Sequence, residues 1–463
     1  MKTRVFIYVI PVLIFMYLFS FGQNSTAGSW LVGFAETDIT PSNDQEVQMS
    51  GYGRERYAHG SLMPLISQVV VLQDTKGNTG VFIAADIVAF DRVLVNAIRY
   101  KIHQKHNIDE ENILLVASHT HWGPAIRLIG TFSTGAPNVW YNAQFEIKIL
   151  DLVDHAIAAL SPASIEYTSF DFREIASNRR LLVDGEMLMK PNPEGSFDGH
   201  TPLIRIKRDT HPKQIIMVGY ASHVTGSGSV GKWSPGYPGS MREYLSSALP
   251  DTKAVFIQGC GGDAKITYKD PETGKLVFSA DTIHSREAGE KLAKVVLAHL
   301  KSDKMTPIDN ELACSLVTGH LSYGQRWAQE EIENQAYFGK PNYYLTWSAR
   351  QVLAYPVKKE SFRYDVQVWR LGNQLTLFGM EGEVCSPWGN ILRSMATTKQ
   401  AMVAGYANNT SCYIPDNKMI VEGGYEAIRS QQYREPGPFT QNIETEIKAI
   451  VEKALKVVDK SKY

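Results

Sequence analysis

This chain has no excess of positive charge. Its 463 residues hold 47 Lys and Arg against 48 Asp and Glu, a formal net charge of −1. A nucleic-acid partner is excluded on that ground, because nothing is in surplus to displace counterions from a polyanion. Cysteine is scarce: Cys260, Cys314, Cys385 and Cys412 show no CxxC spacing. That excludes a disulfide-dense scaffold and marks the four as buried small apolar residues rather than metal ligands; Cys385 and Cys412 can pair only if their segments meet. Repeats and low-complexity linkers are missing too. No charged run or polar tract dominates, and with 44% hydrophobic residues disorder is excluded as the main state.

A long apolar run occurs once, at the start. Lys2 and Arg4 precede an uncharged stretch over 5–21, and Ser20 and Gly22 stand at the −3 and −1 positions of a cleavage site. Residues 1–22 therefore read as a secretory signal peptide, leaving 23–463 as an exported protein, secreted or periplasmic. The run is also near the shortest that can span a bilayer, so a membrane anchor by an uncleaved leader is the alternative. Length alone suggests about three domains or one large one; without a linker we read one, with a subdivision near 301–310.

What is present is a succession of short apolar runs, at 68–72, 81–86, 113–118, 203–206, 215–221, 254–258, 375–378 and 401–404. Most are continuous rather than alternating, the pattern of strands covered on both faces. Helical spacing appears between them at 92–106, 145–160, 285–300 and 443–458. The expected fold is α/β, a mixed α+β layered domain.

Chemistry-bearing side chains gather at strand ends. His119 and His121 follow the run at 113–116, with Gly123-Pro124 turning the chain away. Residues i and i+2 of an extended chain share a side, so the pair can serve one cavity as two ligands, or as one ligand and one acid/base group. His223 ends another run, and active sites gather at the carboxyl ends of strands. After a third run come Gly259, Cys260, Gly261, Gly262 and Asp263. The glycines suggest close backbone approach or an anion-binding nest, and Asp263 could orient a histidine or accept a proton. Glu383 is a carboxylate ligand candidate at a strand end. Tyr413, taken alone, reads as packing.

Together these segments, in this order, resemble the neutral (alkaline, non-lysosomal) ceramidase family over about 30–425. Met49 to Gly53 is similar to its N-terminal glycine motif, Ser118-His119-Thr120-His121 with Gly123-Pro124 to its THTHSGP segment (Trp122 replacing serine), Asn178-Arg179 to its Asn-Arg pair, and Gly405 through Asn408 to Tyr413-Ile414 to its G-x-x-N-x4-Y-[IV] segment. The resemblance implies a Zn2+ ion held by His119, His223, Glu383 and Tyr413. It places His121 beside the metal for orientation or proton transfer, and Arg179 against the substrate or developing oxyanion.

The departures are specific. The family's nucleophilic serine lies in a GDxSPN stretch that here reads Gly262-Asp263-Ala264-Lys265-Ile266-Thr267, with Lys265 in the serine position. The family's C-terminal immunoglobulin-like domain is expected to be lacking. The expectation is an exported zinc-dependent hydrolase that cleaves an amide or ester with metal-activated water. His121 or Asp263 would move the proton, and Arg179 or Lys265 would stabilise negative charge. Asn178, Arg179, Arg180 and Lys265 together favour an anionic substrate. The expected partner is a small-molecule, lipid or glycan substrate, and a lipid substrate would entail transient membrane contact. The alternatives are a glycan lyase or glycosidase reusing the site, or a non-catalytic metal-containing relative that binds lipid or glycan.

Overall fold

Continuous apolar runs become strands with both faces covered. Along Ile66–Gln73, Val69 and Val71 enter one core while Val70 and Leu72 enter another, as the two-residue period of a strand requires. The structure is a computed structural model that describes residues 29–460 except 43–45, 53–55, 127–136, 227–230, 280, 303, 342 and 357–358. The leader expected at 1–22 lies outside the described residues.

In chain order the strands are β1 (Trp30–Asp38), β2 (Ile66–Gln73), β3 (Thr79–Ala85), β4 (Ile113–Ala117), β5 (Ser161–Asp171), β6 (Ala176–Val183), β7 (Glu186–Asn192), β8 (His200–Arg208), β9 (Gln214–Tyr220), β10 (Thr252–Gln258), β11 (Ala264–Lys269), β12 (Leu276–Phe278), β13 (Thr306–Pro307), β14 (Leu312–Ser322), β15 (Ser361–Leu371), β16 (Leu375–Met380), β17 (Glu383–Val384), β18 (Gln400–Ala404) and β19 (Tyr413–Ile414). The main sheet runs β10-β9-β8-β5-β1-β2-β3-β4, with β13 on β5. It is parallel only at β9/β10 and β3/β4. Segment 405–408 joins its two ends: Gly405 N donates to Gln258 O (2.9 Å), Ala117 N to Tyr406 O (3.3 Å) and Asn408 N to Leu115 O (2.7 Å). The carboxyl ends of β4 and β10 are thus held together.

Helices α1 (Arg92–His106) and α2 (Val139–Ala158) cover one face of the main sheet. A second sheet, β14-β15-β16-β18, covers the other. Helix α3 (Tyr237–Ala248) and α4 (Thr282–Ser302) close the β8–β10 end. Further along, α5 (Gln329–Phe338), α6 (Tyr344–Ala354), α7 (Pro387–Met395) and α8 (Asn417–Glu422) lead to α9 (Ile443–Lys460). Ile443, Ile447, Ile450, Val451, Ala454, Leu455 and Val458 of α9 form the helical stripe that caps the second sheet. The layering is helix, sheet, sheet, helix, the mixed α+β domain expected. A third sheet, β12-β11-β6-β7, and the pair β17-β19 stand beside it.

All eight apolar runs form strands and all four helical stretches form helices. The 301–310 segment is no boundary in hydrogen bonding, since β13 pairs with β5 and Ile308 N donates to Ile165 O (2.9 Å). All four cysteines are free thiols. The β17/β19 register sets Glu383 opposite Tyr413, which staggers Cys385 and Cys412 along the pair.

Candidate metal centre

Each strand-end histidine is aimed by a backbone carbonyl. Leaving β4, Ser118 N donates to Ala85 O and His119 N to Ile87 O, and the chain turns at His119, whose φ is +64°. His119 and His121 do converge, but through this left-handed turn and not through the strand alternation expected. His119 Nδ1 lies 2.7 Å from Val88 O, and His223 Nδ1 lies 2.7 Å from Gly261 O. A carbonyl only accepts, so each Nδ1 carries the proton and each Nε2 presents a bare lone pair. The loop holding Val88 is itself anchored, because buried Asp86 accepts two bonds from Arg242 and one from Ile66 N.

Glu383 and Tyr413 arrive from the third side. They are register partners in the parallel pair β17/β19, so their side chains share a face. Gly262 lets β17 approach: its N donates to Val384 O (2.8 Å), and a Cβ there would meet Glu383 O at 2.5 Å. Glu383 Oε2 lies 3.3 Å from His119 Nε2 and 3.1 Å from His223 Nε2, and Tyr413 Oη lies 3.2 Å from His223 Nε2. Among the described residues Glu383 Oε2 has no hydrogen-bond donor. Lone pairs facing lone pairs in a buried pocket call for a cation. A tetrahedron of ~2.0 Å zinc bonds has edges of about 3.3 Å, the size of the separations seen. The residues therefore fit the implied metal.

His121 is the further nitrogen. Its Nε2 lies 3.1 Å from His119 Nε2, its Nδ1 has no partner among the described residues, and its ring meets Tyr52 edge-on. His119, His121 and His223 by themselves also form a group able to hold a metal ion. Gly51, at φ +97°, carries the chain so close to His121 that a Cβ would lie 2.4 Å from its ring. Burial drives the His121 imidazole well below its ordinary pKa and His223 down to about 3, with Arg179 adding to the latter. Both rings are therefore neutral, as ligation requires.

The remaining expected residues have particular placements. Arg179 is buried, bonds Glu426 Oε1 through Nε (2.8 Å), and lies over the rings of Tyr413 and Tyr425; its Nη2 has no partner among the described residues. Arg180 instead joins Glu426 and Glu422, away from the cluster. Asp263 accepts from Ser386 N (2.6 Å), Ser386 Oγ (2.7 Å) and Asn178 Nδ2 (2.8 Å). It ties β11 to β6 and α7, and Gly261 O, not Asp263, orients His223. The anion nest does not form: Gly259, Gly261 and Gly262 N donate to backbone carbonyls, and none has positive φ. Lys265 Nζ sits 4.7 Å over the Phe278 ring, and burial lowers its ammonium to about 8.

A cleft of about 130 Å³ opens onto the cluster. It is lined by His119, His121, Glu383 and Tyr413 below, and above by Tyr344, Thr410, Ser411, Tyr425, Ser430 and Arg434 among others. Sequence reasoning missed every one of these upper residues; Tyr344, Thr410, Ser411 and Tyr425 fall within the span of the resemblance, Ser430 and Arg434 beyond it.

Residues 30–223 match the family described as neutral/alkaline non-lysosomal ceramidase, N-terminal. A curated neutral ceramidase of Pseudomonas aeruginosa is 28% identical over 182 residues, 38% of this chain and 26% of that protein. The matched part thus spans about a quarter of that relative's length. The crystal structure of neutral ceramidase from Pseudomonas aeruginosa superposes with a TM-score of 0.71 at 16% identity, covering 94% of this chain and 75% of that one. A ceramidase complexed with C2 gives 0.70 at 16% identity, covering 93% and 75%. At such identity the solved structures establish the fold. Taken together, the matches make this chain similar to neutral/alkaline non-lysosomal ceramidases in sequence over residues 30–223 and in fold over most of its length.

Proposed function

We propose that this protein is an exported zinc-dependent hydrolase that cleaves an amide bond of an N-acylated substrate without a serine nucleophile. The observation that carries the proposal is the set of buried acceptor atoms on His119, His223, Glu383 and Tyr413, which face one another with no hydrogen between most of them. A zinc ion held there would acidify a ligated water and polarise a carbonyl. The chain supplies the rest. His121, neutral and with Nδ1 unpartnered, stands where it can accept a proton and return it to a leaving amine. Arg179, fixed by Glu426, aims its unpartnered Nη2 past Tyr413 toward negative charge growing at the carbonyl. Tyr413, whose phenol burial raises well above its usual range, must lose its proton to ligate, and the adjacent Arg179 favours that loss.

Lys265 in the serine position supports attack by water. Its backbone pairs with His223, but its ammonium is taken up by Phe278, and it is not among the residues lining the cleft. The experiment is metal analysis of purified protein with amine release from a panel of N-acyl amides and esters. About one zinc per chain, lost in His119→Ala and His223→Ala together with turnover, is the expected result. Undiminished turnover by metal-free protein would sink the proposal.

A further inference from the structure

One cation in the cleft above the metal centre has no counter-ion among the described residues. Arg434 lines the cleft, and among the described residues its side chain bonds only Ser430 O, from Nη1 at 3.4 Å. The nearby carboxylates are committed elsewhere. Glu426 bonds Arg179 and Arg180, and Glu435 bonds Tyr323 and Lys359. Among the described residues lining the cleft, Glu383 is the sole carboxylate, and it belongs to the metal cluster. A bound divalent ion would leave this cleft net positive. Arg434 stands near Tyr425: the Tyr425 ring lies 5.5 Å from that of Tyr413, and the Arg434 charge acts on Tyr425, Tyr344 and Cys412. Beside Cys412, Ser411 and Thr410 also line the cleft, and Thr410 Oγ1 is buried without a partner.

We propose that Arg434, with the Thr410 and Ser411 hydroxyls, is a subsite for a carboxylate, so that the substrate is an N-acylated molecule bearing an anionic group one ring-width out from its scissile amide. A guanidinium offers a planar fork that pairs with a carboxylate through two bonds, and the unpartnered Thr410 hydroxyl adds a donor in the same cleft. This deepens the hydrolase reading and rests on it for the position of the amide, but not for the presence of the anion site.

The test is isothermal titration of the metal-loaded protein with N-octanoyl-γ-aminobutyrate and with its methyl ester, for wild type, Arg434→Gln and Arg434→Lys, alongside amine release from both probes. Wild type should bind the acid about ten- to hundredfold more tightly than the ester. Arg434→Gln should bring that ratio near one, and Arg434→Lys should recover part of it. A ratio near one in wild type, no binding of the acid, or a preference that survives Arg434→Gln overturns the subsite; the last result would mean that the metal itself takes the carboxylate. An Arg434-dependent preference with no cleavage of either probe upholds the subsite and removes the amide-hydrolase reading. Equal cleavage of both probes, unaltered by Arg434→Gln, does the reverse.

Discussion

Replacing Glu426 by glutamine isolates the ion pair that holds Arg179 at the site. Glu426 is buried, and it accepts from Arg179 Nε at 2.8 Å and from Arg180 Nη1 at 2.7 Å. The two arginines would not suffer equally. Arg180 keeps Glu422 (3.2 Å) and Gly423 O (3.0 Å), whereas Arg179, 4% exposed, has no second carboxylate. Breaking a buried pair costs about 3–5 kcal/mol; with one arginine still paired and the glutamine still an acceptor, about 3 kcal/mol is expected. A chain of this length unfolds with an entropy of about 1 kcal/mol per kelvin, so the melting temperature should fall by about 3 °C. The pH dependence gives a second check. Burial opposes ionisation of Glu426, yet Arg179 and Arg180 hold its carboxyl below the usual range. A depressed carboxylate stabilises the fold above its unfolded pKa, near 4.3, and loses that contribution as pH falls through the folded value. The gap between wild type and Glu426→Gln should be constant above about pH 5 and shrink below about pH 4. Calorimetry on both proteins at pH 7 and pH 4 measures it, with Glu422→Gln, at a 27% exposed partner, as a control costing under about 1 kcal/mol. A shift below about 0.5 °C at pH 7, or a gap that persists undiminished in acid, refutes this reading of the network.

Three further outcomes follow from the same geometry. Stripping the metal with a chelator should lower the melting temperature by about 3 °C relative to protein in hundredfold excess of its zinc dissociation constant, and added zinc should restore it; a chelator-insensitive melt counts against the centre. Gly51→Ala places a methyl against the His121 ring at a positive φ, so turnover should drop tens- to a hundredfold while bound metal, measured by mass spectrometry, stays near wild type. Burial pushes the Asp263 carboxyl up to about 6, against the opposing bonds from Ser386. A raised carboxyl favours the fold in acid and loses that contribution as pH rises through the folded value, so urea titrations should show wild type gaining on Asp263→Asn as pH falls from about 6 toward 4.

The parts of this molecule that were legible in the sequence are those encoded locally. An apolar run ended by a histidine reveals both a covered strand and its reactive end, and that located His119, His121 and His223. What sequence could not show is where the backbone spends its donors. The glycines after β10 look like an anion nest until Gly261 and Gly262 are seen bonding Gly259 O and Val384 O. Arg180 looks like a substrate contact until Glu426, far along the chain, claims it. Tyr413 reads as packing because its role depends on lying opposite Glu383 in a two-residue parallel pair, too short to leave a hydrophobic pattern. Arg434 carries no local signal at all.

The way the site is assembled also bears on what a bound metal would do for the fold. His119 hangs from the end of β4 and His223 from the end of β9, both in the main sheet, while Glu383 and Tyr413 sit on the β17/β19 pair that follows the second sheet. Between these parts the backbone provides a few bonds, from Gly405 to Gln258, Ala117 to Tyr406, Asn408 to Leu115 and Gly262 to Val384. Three of them lie within five residues of a proposed ligand, at Ala117, Asn408 and Val384. A cation shared by the four side chains would therefore join the two sheets at the same seam those bonds close, while its absence leaves buried acceptors facing each other there. Metal loss should then open this seam before the helix-covered cores, and hydrogen exchange on the amides of Gly262, Gly405 and Asn408 should rise on chelation while that of β2 amides does not. Uniform protection along the seam and β2 in metal-free protein would show instead that the sheets hold together without the ion.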